Sequence, residues 1–143
     1  MTFNELIFSI DEKNGVNEFR QFIAEGGDIH QVPSNSGWSL MHIACEHQNS
    51  SLIRALVESD RELLNTRAAC GYPPIFQALD IDIDGAIQTG HSMIFETTRL
   101  LLELGADPTL KDQKQRTLKE FAQKYRGSVV REFDKFISPL LKK

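Results

Sequence analysis

Three aspartates alternate along one segment, Asp80, Asp82 and Asp84, and Gly85 follows them. Alternating carboxylates before a glycine open the calcium-loop pattern DxDxDG, in which carboxylate oxygens coordinate the ion. The pattern also needs a bidentate glutamate at its twelfth position, which is His91 in this chain. Because the strongest ligand is missing, we predict no metal site and no cofactor, with a metal-dependent activity at this cluster as the alternative.

Cysteine and histidine suggest a second chemistry at Cys45, which lies between His42 and His47. A thiol nucleophile needs a base within hydrogen-bonding reach and donors that stabilise an oxyanion. The segment offers neither, and Cys45 and Cys70 belong to no CxxC or Cys/His pattern with metal-ligand spacing. We therefore expect Cys45 to be a small buried side chain and predict no catalytic residue and no enzyme activity.

Charge divides the chain into two parts of opposite sign. Residues 1–110 contain six Lys and Arg against sixteen Asp and Glu, whereas residues 111–143 contain ten against four. An acidic surface attracts a basic partner and repels the phosphates of nucleic acids. In the basic part, the cations are interspersed with Asp112 and Glu120, which is typical of a solvated surface. We predict a basic protein partner and no nucleic acid.

Apolar stretches are too short for a membrane anchor. The longest purely apolar runs span a few residues, such as Leu100–Leu102, whereas a spanning helix needs about 20. At the start of the chain, Glu5 and Asp11 interrupt any run that resembles an export signal. With 41% hydrophobic and 25% charged residues, we expect a single soluble domain over residues 1–143 with no membrane partner. Two cysteines without a disulfide pattern favour the reducing cytoplasm.

A repeat of 34 residues organises the elements that carry these side chains. The segment GWSLMHIA begins at Gly37, and the related segment GYPPIFQA begins 34 positions later at Gly71. Between them, apolar residues such as Ile53 and Leu56 follow helical spacing, so each unit is predicted to be a helix pair. A single pair leaves one apolar face uncovered, and the units must therefore stack to share a core.

The repeated segments resemble a known family. WSLMHIACEH resembles the ankyrin signature TPLHxAAxxG, and LLLELGADPT resembles the ankyrin ending LLLxxGADVN. The resemblance covers nearly the whole chain and implies an all-α ankyrin-repeat solenoid of about four helix-pair units with short hairpin-like turns. The units are expected near residues 2–35, 36–69, 70–112 and 113–141, and the degenerate first and last units act as caps.

The resemblance also implies structural roles for three residues. His42 matches the signature histidine, which in the family hydrogen-bonds the backbone between neighbouring units. Ser39 occupies the position of the signature threonine and shares that task. Gly105 marks the reversal of the chain after the third helix pair.

The third unit contains an insertion. From its first glycine to the matching position of its second helix there are 27 residues, whereas the second unit has 16, so about eleven residues are inserted at 80–90. Insertions in solenoids map to surface loops and often to the binding face. We predict an inserted loop held by Gly85 and Gly90. Its acidic residues either are solvated or contribute to a partner-binding surface, and we favour the partner-binding surface. Its isoleucines are expected to pack on the helices: Ile81, Ile83 and Ile87.

Aromatic residues at the tips between units complete the predicted partner-binding surface. Trp38 and Tyr72 occupy equivalent tip positions, and in ankyrin proteins the tips and inner helices line the concave binding face. Aromatic side chains are frequent binding anchors, although each ring here has packing on the neighbouring turn as an alternative role. The predicted set is Trp38, Glu46, His47, Tyr72, Gln77, Asp80, Asp82 and Asp84.

A further resemblance concerns the inserted segment. LDIDIDGAIQTG, ahead of TTRLLLELGADP, resembles an insertion in small bacterial ankyrin immunity proteins of polymorphic toxin systems. The resemblance implies an immunity protein that binds and neutralises a cognate bacterial toxin. A basic toxin domain suits an acidic inhibitor, because electrostatic attraction speeds capture. The alternative is a general ankyrin adaptor or regulatory protein that binds another cellular protein.

Overall fold

Eight α-helices follow one another in the computed structural model, which describes residues 1–12, 14–125 and 127–142. They are α1 (Phe3–Glu12), α2 (Val16–Ala24), α3 (Leu40–Glu46), α4 (Ser50–Ser59), α5 (Pro74–Thr89), α6 (Glu96–Glu103), α7 (Leu118–Gln123) and α8 (Ser128–Phe136). Short 3-10 helices span Arg61–Asn65 and Ser138–Lys142, and the described ranges contain no β-strand. The predicted all-α class is confirmed. In the same ranges, no helix combines the length and the apolar character that a membrane crossing requires.

The helices pack in two layers. In the inner layer, α3 contacts both α1 and α5, and α5 in turn contacts α7. Each inner helix also contacts the outer helix that follows it in the chain, and α2 contacts α4 in the outer layer. Each helix pair therefore stacks on the next, which is the arrangement of a solenoid. The expected ankyrin-like architecture is confirmed.

One continuous apolar core runs through all four helix pairs, from Phe3 to Ile137. On α4, the side chains of Leu52, Ile53 and Leu56 are fully buried, because residues three and four apart share one face of a helix. Burial of such a side chain contributes about 1.5–3 kcal/mol relative to its exposure. Since neighbouring pairs supply the two sides of this core, no pair buries its apolar residues alone.

Helix α5 replaces the predicted loop. It runs for 16 residues, whereas its counterpart α3 in the second unit has 7. Pro74 begins the helix, where a missing N–H costs nothing, and Gly90 ends it in the left-handed conformation with φ 72°. The prediction of a loop over residues 80–90 is therefore wrong. The inserted residues lengthen the inner helix, and Gly85 lies within it instead of forming a turn.

The three isoleucines of the inserted segment do not lie on one common face of α5. Ile83 is fully buried, whereas Ile87 is 56% exposed. Ile81 is partly exposed. The expected packing on the helices is confirmed for Ile83 and wrong for Ile87, because a helix turns by about 100° per residue.

Two outer helices end at equivalent glycines. Gly26 follows α2 with φ 82°, and Gly105 follows α6 with φ 108°. In both turns the glycine N–H donates to a carbonyl three residues back, which satisfies a carbonyl at the helix end. The surroundings differ, because a Cβ on Gly105 would overlap the Arg61 guanidinium, which donates to the Leu104 carbonyl at 2.7 Å. A Cβ on Gly26 would meet no atom within 4 Å.

We expect Gly105→Ala to lower the free energy of unfolding by about 2–3 kcal/mol, since it adds left-handed strain and displaces Arg61. The matched variant Gly26→Ala introduces the left-handed strain without a steric overlap, and its free energy of unfolding should fall by about 1–2 kcal/mol. Urea denaturation monitored by circular dichroism measures both. Equal losses in the two variants would contradict the role of the Arg61 contact.

Candidate protein-binding face

A chain of hydrogen bonds connects four of the predicted site residues. The Trp38 indole nitrogen donates to the Tyr72 hydroxyl at 2.6 Å, and that hydroxyl donates to Gln77 Oε1 at 2.8 Å. The Gln77 amide then donates to Glu46 Oε2. The chain joins the tips of the second and third units to the end of α3 and the first turn of α5. We name this surface the inner face and define it by Trp38, Glu46, Tyr72, Gln77 and the neighbouring Asp80.

The inner face is partly buried and already ordered. Gln77 is 7% exposed, whereas Trp38, Glu46 and Tyr72 are partly exposed. Burial raises the pKa of Tyr72, so its hydroxyl remains protonated and keeps donating to Gln77. Side chains held by such bonds lose little further rotamer freedom on association.

Ser39 and His42 support the inner face from inside the fold, where both are fully buried. His42 Nε2 lies 2.9 Å from the Tyr72 carbonyl oxygen, and His42 Nδ1 lies 2.6 Å from Ser39 Oγ. Because a carbonyl oxygen only accepts, Nε2 carries a proton. Burial lowers the pKa of His42 to about 4, so the imidazole is neutral at pH 7 and Nδ1 accepts from the Ser39 hydroxyl.

His47 lies apart from the hydrogen-bonded chain. Its Nε2 is 2.8 Å from Asp11 Oδ1, and both side chains are exposed. This contact joins the end of α3 to α1. Among the described residues, no hydrogen bond links His47 to the inner face, so the structure places it at the junction of the first and second units.

Asp80 and Asp84 lie one turn apart on α5, and Tyr125 of the last unit contacts both. The Tyr125 hydroxyl is 2.9 Å from Asp80 Oδ1 and 3.4 Å from Asp84 Oδ1. Burial, followed by these carboxylates, raises the pKa of Tyr125. Both aspartates remain partly exposed. Sequence reasoning missed Tyr125, because no local pattern connects residues more than 40 positions apart.

Asp82 has a structural position, so its assignment to the binding surface requires correction. Its side chain is 6% exposed, and Oδ2 accepts from the Thr98 N–H at 2.8 Å and the Thr98 hydroxyl at 2.7 Å. Oδ1 accepts from Gln48 at 3.1 Å and from the Thr97 N–H at 3.4 Å. Burial nevertheless raises the pKa of Asp82. The carboxylate caps α6, whose own N-cap residue Phe95 supplies no side-chain hydrogen bond.

The helical conformation separates the three aspartates of the calcium-loop pattern. Asp82 faces the start of α6, whereas Asp80 and Asp84 face Tyr125. The segment therefore does not form the loop that brings alternating carboxylates around one ion. In the part of the chain that the structure describes, no three His, Cys, Asp or Glu side chains are grouped as metal ligands.

Comparison with known proteins gives one match, which lies in the second unit. Residues 36–66 match the family model of the ankyrin repeat. This segment is similar to an ankyrin repeat. It contains α3, α4 and the buried Ser39–His42 pair. The match supports ankyrin-repeat family membership and a protein-binding module, while comparison with curated proteins found no match.

Within the matched segment, Cys45 is fully buried in the core. Burial is the main cause that raises the pKa of its thiol, and the Asp82 charge adds to it. Both ring nitrogens of His42 are bonded elsewhere, and His47 Nε2 contacts Asp11. These contacts give Cys45 the surroundings of a small core side chain.

Asp82→Asn should lower the free energy of unfolding by about 1–3 kcal/mol. The amide nitrogen of asparagine is itself a donor, so it would face N–H and O–H donors that the Asp82 carboxylate oxygens now accept hydrogen bonds from. The control Asp84→Asn also removes one negative charge, two residues further along α5. It should lower the free energy of unfolding by less than about 1 kcal/mol, because Asp84 is partly exposed. Urea unfolding of both variants at pH 7 measures the difference. Equal stability of the two variants would contradict the capping role.

The His42 tautomer predicts a pH dependence of stability. An unfolded histidine titrates near pH 6.5, whereas His42 in the folded chain has a pKa of about 4. Between these values the unfolded state binds the extra proton, so the unfolding free energy falls as the pH falls from 6.5 to 4, by about 2–4 kcal/mol. His42→Gln should be less stable at pH 7, but its unfolding free energy should lack the histidine-dependent fall between pH 6.5 and 4. An identical pH slope in both proteins, measured by urea denaturation, would contradict the assignment.

Proposed function

We propose that this protein is an immunity-type inhibitor whose inner face binds and neutralises a basic toxin domain. The ankyrin repeat supports the broader statement that the chain is a protein-binding module. The observation that carries the proposal is the ordered chain from Trp38 through Tyr72 and Gln77 to Glu46, which combines two aromatic residues with a carboxylate on one surface.

Preorganisation favours tight association. Immobilising a flexible side chain at an interface costs about 0.5–1.5 kcal/mol, and hydrogen bonds already hold the donors and acceptors of the inner face. Trp38 and Tyr72 also offer large ring surfaces that remain partly exposed. Strong complexes depend on such anchors more than on total buried area.

Charge favours a basic partner for this face. The chain has no Lys or Arg between Arg67 and Arg99, and α5 carries the partly exposed Asp80 and Asp84 within that interval. Glu46 adds a third carboxylate at the end of α3. Acidic groups concentrated on one surface accelerate the encounter with a cationic protein and disfavour anionic competitors.

The inserted segment supports the finer proposal of a toxin as the partner. Residues 79–90 resemble an insertion in small bacterial ankyrin immunity proteins, and this segment forms the extension of α5 that presents Asp84. Immunity proteins and their toxins form some of the tightest known complexes, which suits a preorganised face. We place this function in the bacterial cytoplasm.

A general adaptor is the second candidate function. The ankyrin repeat match favours it directly, since the repeat by itself implies protein binding without specifying a toxin. An adaptor would bind a cellular protein through the same inner face and would leave the activity of that protein intact. Loss of the partner's toxicity on binding therefore separates the two functions.

Affinity capture from a native lysate tests the proposal, with the tagged full chain as bait and mass spectrometry as the readout. We expect one basic toxin domain in equal stoichiometry, and addition of this protein should abolish its toxicity. A set of unrelated partners, or no partner, would contradict the immunity function. A single non-toxic partner would favour the adaptor.

The double variant Asp80→Asn/Asp84→Asn should bind the captured partner about tenfold more weakly, equivalent to about 1.4 kcal/mol, and with a weaker dependence on salt. Asparagine oxygens still accept from Tyr125, so the fold should persist. The control Glu58→Gln/Glu62→Gln removes two exposed charges outside the inner face. Isothermal titration calorimetry at several salt concentrations measures all three proteins. Unchanged affinity and salt dependence in the first variant would exclude the α5 carboxylates from the interface.

A further inference from the structure

A pocket of about 300 Å³ lies between α5 and the last unit, next to the inner face. We name it the α5–α7 pocket and define it by Tyr72, Phe76, Asp80, Lys114, Phe121 and Lys124. Tyr72 and Asp80 also belong to the inner face. A partner that covers the inner face would therefore reach this pocket without a change in the fold.

The floor of the pocket is aromatic. The rings of Phe76 and Phe121 meet edge to face with centroids 5.7 Å apart, and both side chains are buried. The Lys124 ammonium lies 4.0 Å from the Phe121 ring centroid and 5.2 Å from that of Tyr125. These rings hold the ammonium at the pocket through cation–π attraction.

The cations around the pocket differ in their partners. Arg116 is paired with the buried Asp112 at 2.7 Å, so these two charges compensate each other. Lys114 and Lys124 are exposed, and among the described residues neither ammonium has a carboxylate oxygen within 4.0 Å. The pocket is therefore lined by Asp80 on its acidic side and by Lys114 and Lys124 on its basic side.

We propose that the α5–α7 pocket receives an aspartate or glutamate side chain of the protein partner, while a basic residue of the same partner meets Asp80 and Glu46. This inference rests on the proposed function of the inner face as a protein-binding surface. A carboxylate between Lys114 and Lys124 forms charge-assisted hydrogen bonds, which are stronger than bonds between neutral groups. The adjacent rings exclude water from one side of the carboxylate and so reduce its screening.

The acidic and basic sides of the pocket determine the orientation of the partner. A uniformly basic surface would place a cation against Lys114 and Lys124, and that like-charge contact would oppose binding. A partner segment that carries an acidic and a basic residue at a fixed spacing can contact Lys114 and Lys124 with the first and Asp80 with the second. Both contacts form in only one orientation of the segment. The partner is thus basic overall but carries an acidic residue at the contact.

Selection from a displayed library of random twelve-residue peptides tests this inference, with the full-length protein as the target. We expect enriched peptides to contain Asp or Glu at a fixed spacing from Lys or Arg. On the variant Lys114→Ser/Lys124→Ser the acidic preference should disappear while the basic preference remains. The control Lys119→Ser/Lys135→Ser removes two charges of the same part of the chain outside the pocket and should keep both preferences.

A double-mutant cycle measures the contact directly. Fluorescence anisotropy should show that replacing the acidic residue of an enriched peptide by its amide weakens binding to the natural protein about tenfold. The same peptide change should leave binding to Lys114→Ser/Lys124→Ser unchanged. Thermal denaturation of the variant checks its fold, which these exposed positions should preserve.

Three results would overturn the inference. Peptides with a basic preference alone would contradict the acidic pocket ligand but leave the proposed protein-binding face intact. No enrichment, or enriched peptides insensitive to Asp80→Asn/Asp84→Asn, would contradict the inference together with the inner face. Self-association in sedimentation experiments that Lys114→Ser/Lys124→Ser abolishes would assign the pocket to a second copy of this chain.

Discussion

Each helix pair of this protein leaves an apolar face that only the neighbouring pair covers, and this constraint underlies the whole structure. The shared core holds the pairs together, and hydrogen bonds between units add direction to the stacking. His42 donates to the Tyr72 carbonyl, and Arg61 donates to the Leu104 carbonyl. Arg67 donates to the Lys111 carbonyl at 3.1 Å. These bonds connect tips and helix ends, so the units stack in one register.

The lengthened helix α5 depends on the same stacking. Its additional turns carry Asp82 to the start of α6, where the carboxylate accepts four hydrogen bonds from Gln48, Thr97 and Thr98. A buried carboxylate is costly unless donors surround it, and the unsatisfied N–H groups at a helix start supply such donors. The arrangement compensates for Phe95, which provides no cap of its own. The middle aspartate of the calcium-loop pattern, Asp82, thus contributes to the construction of the third unit.

The same arrangement brings opposite charges together on the proposed binding surface. Asp80 belongs to the acidic part of the sequence and Lys124 to the basic part, yet both line one pocket because α7 stacks on α5. The Trp38–Tyr72 contact arises in the same way, from equivalent tips of adjacent units. A rigid scaffold that juxtaposes aromatic, acidic and basic groups is well suited to selective protein binding.

The sequence by itself determined the repeat, the helix pairs and the neighbouring positions of Trp38 and Tyr72, because helical spacing is local and recurs every 34 residues. It did not determine the conformation of the inserted segment, since alternating aspartates fit a loop or a helix. Tertiary structure decided that Asp82 is a buried cap and that Tyr125 contacts Asp80 across the next interface. The physical reason is that a polar side chain finds its partners on whichever element stacking brings to it, and spacing along the chain does not encode that encounter.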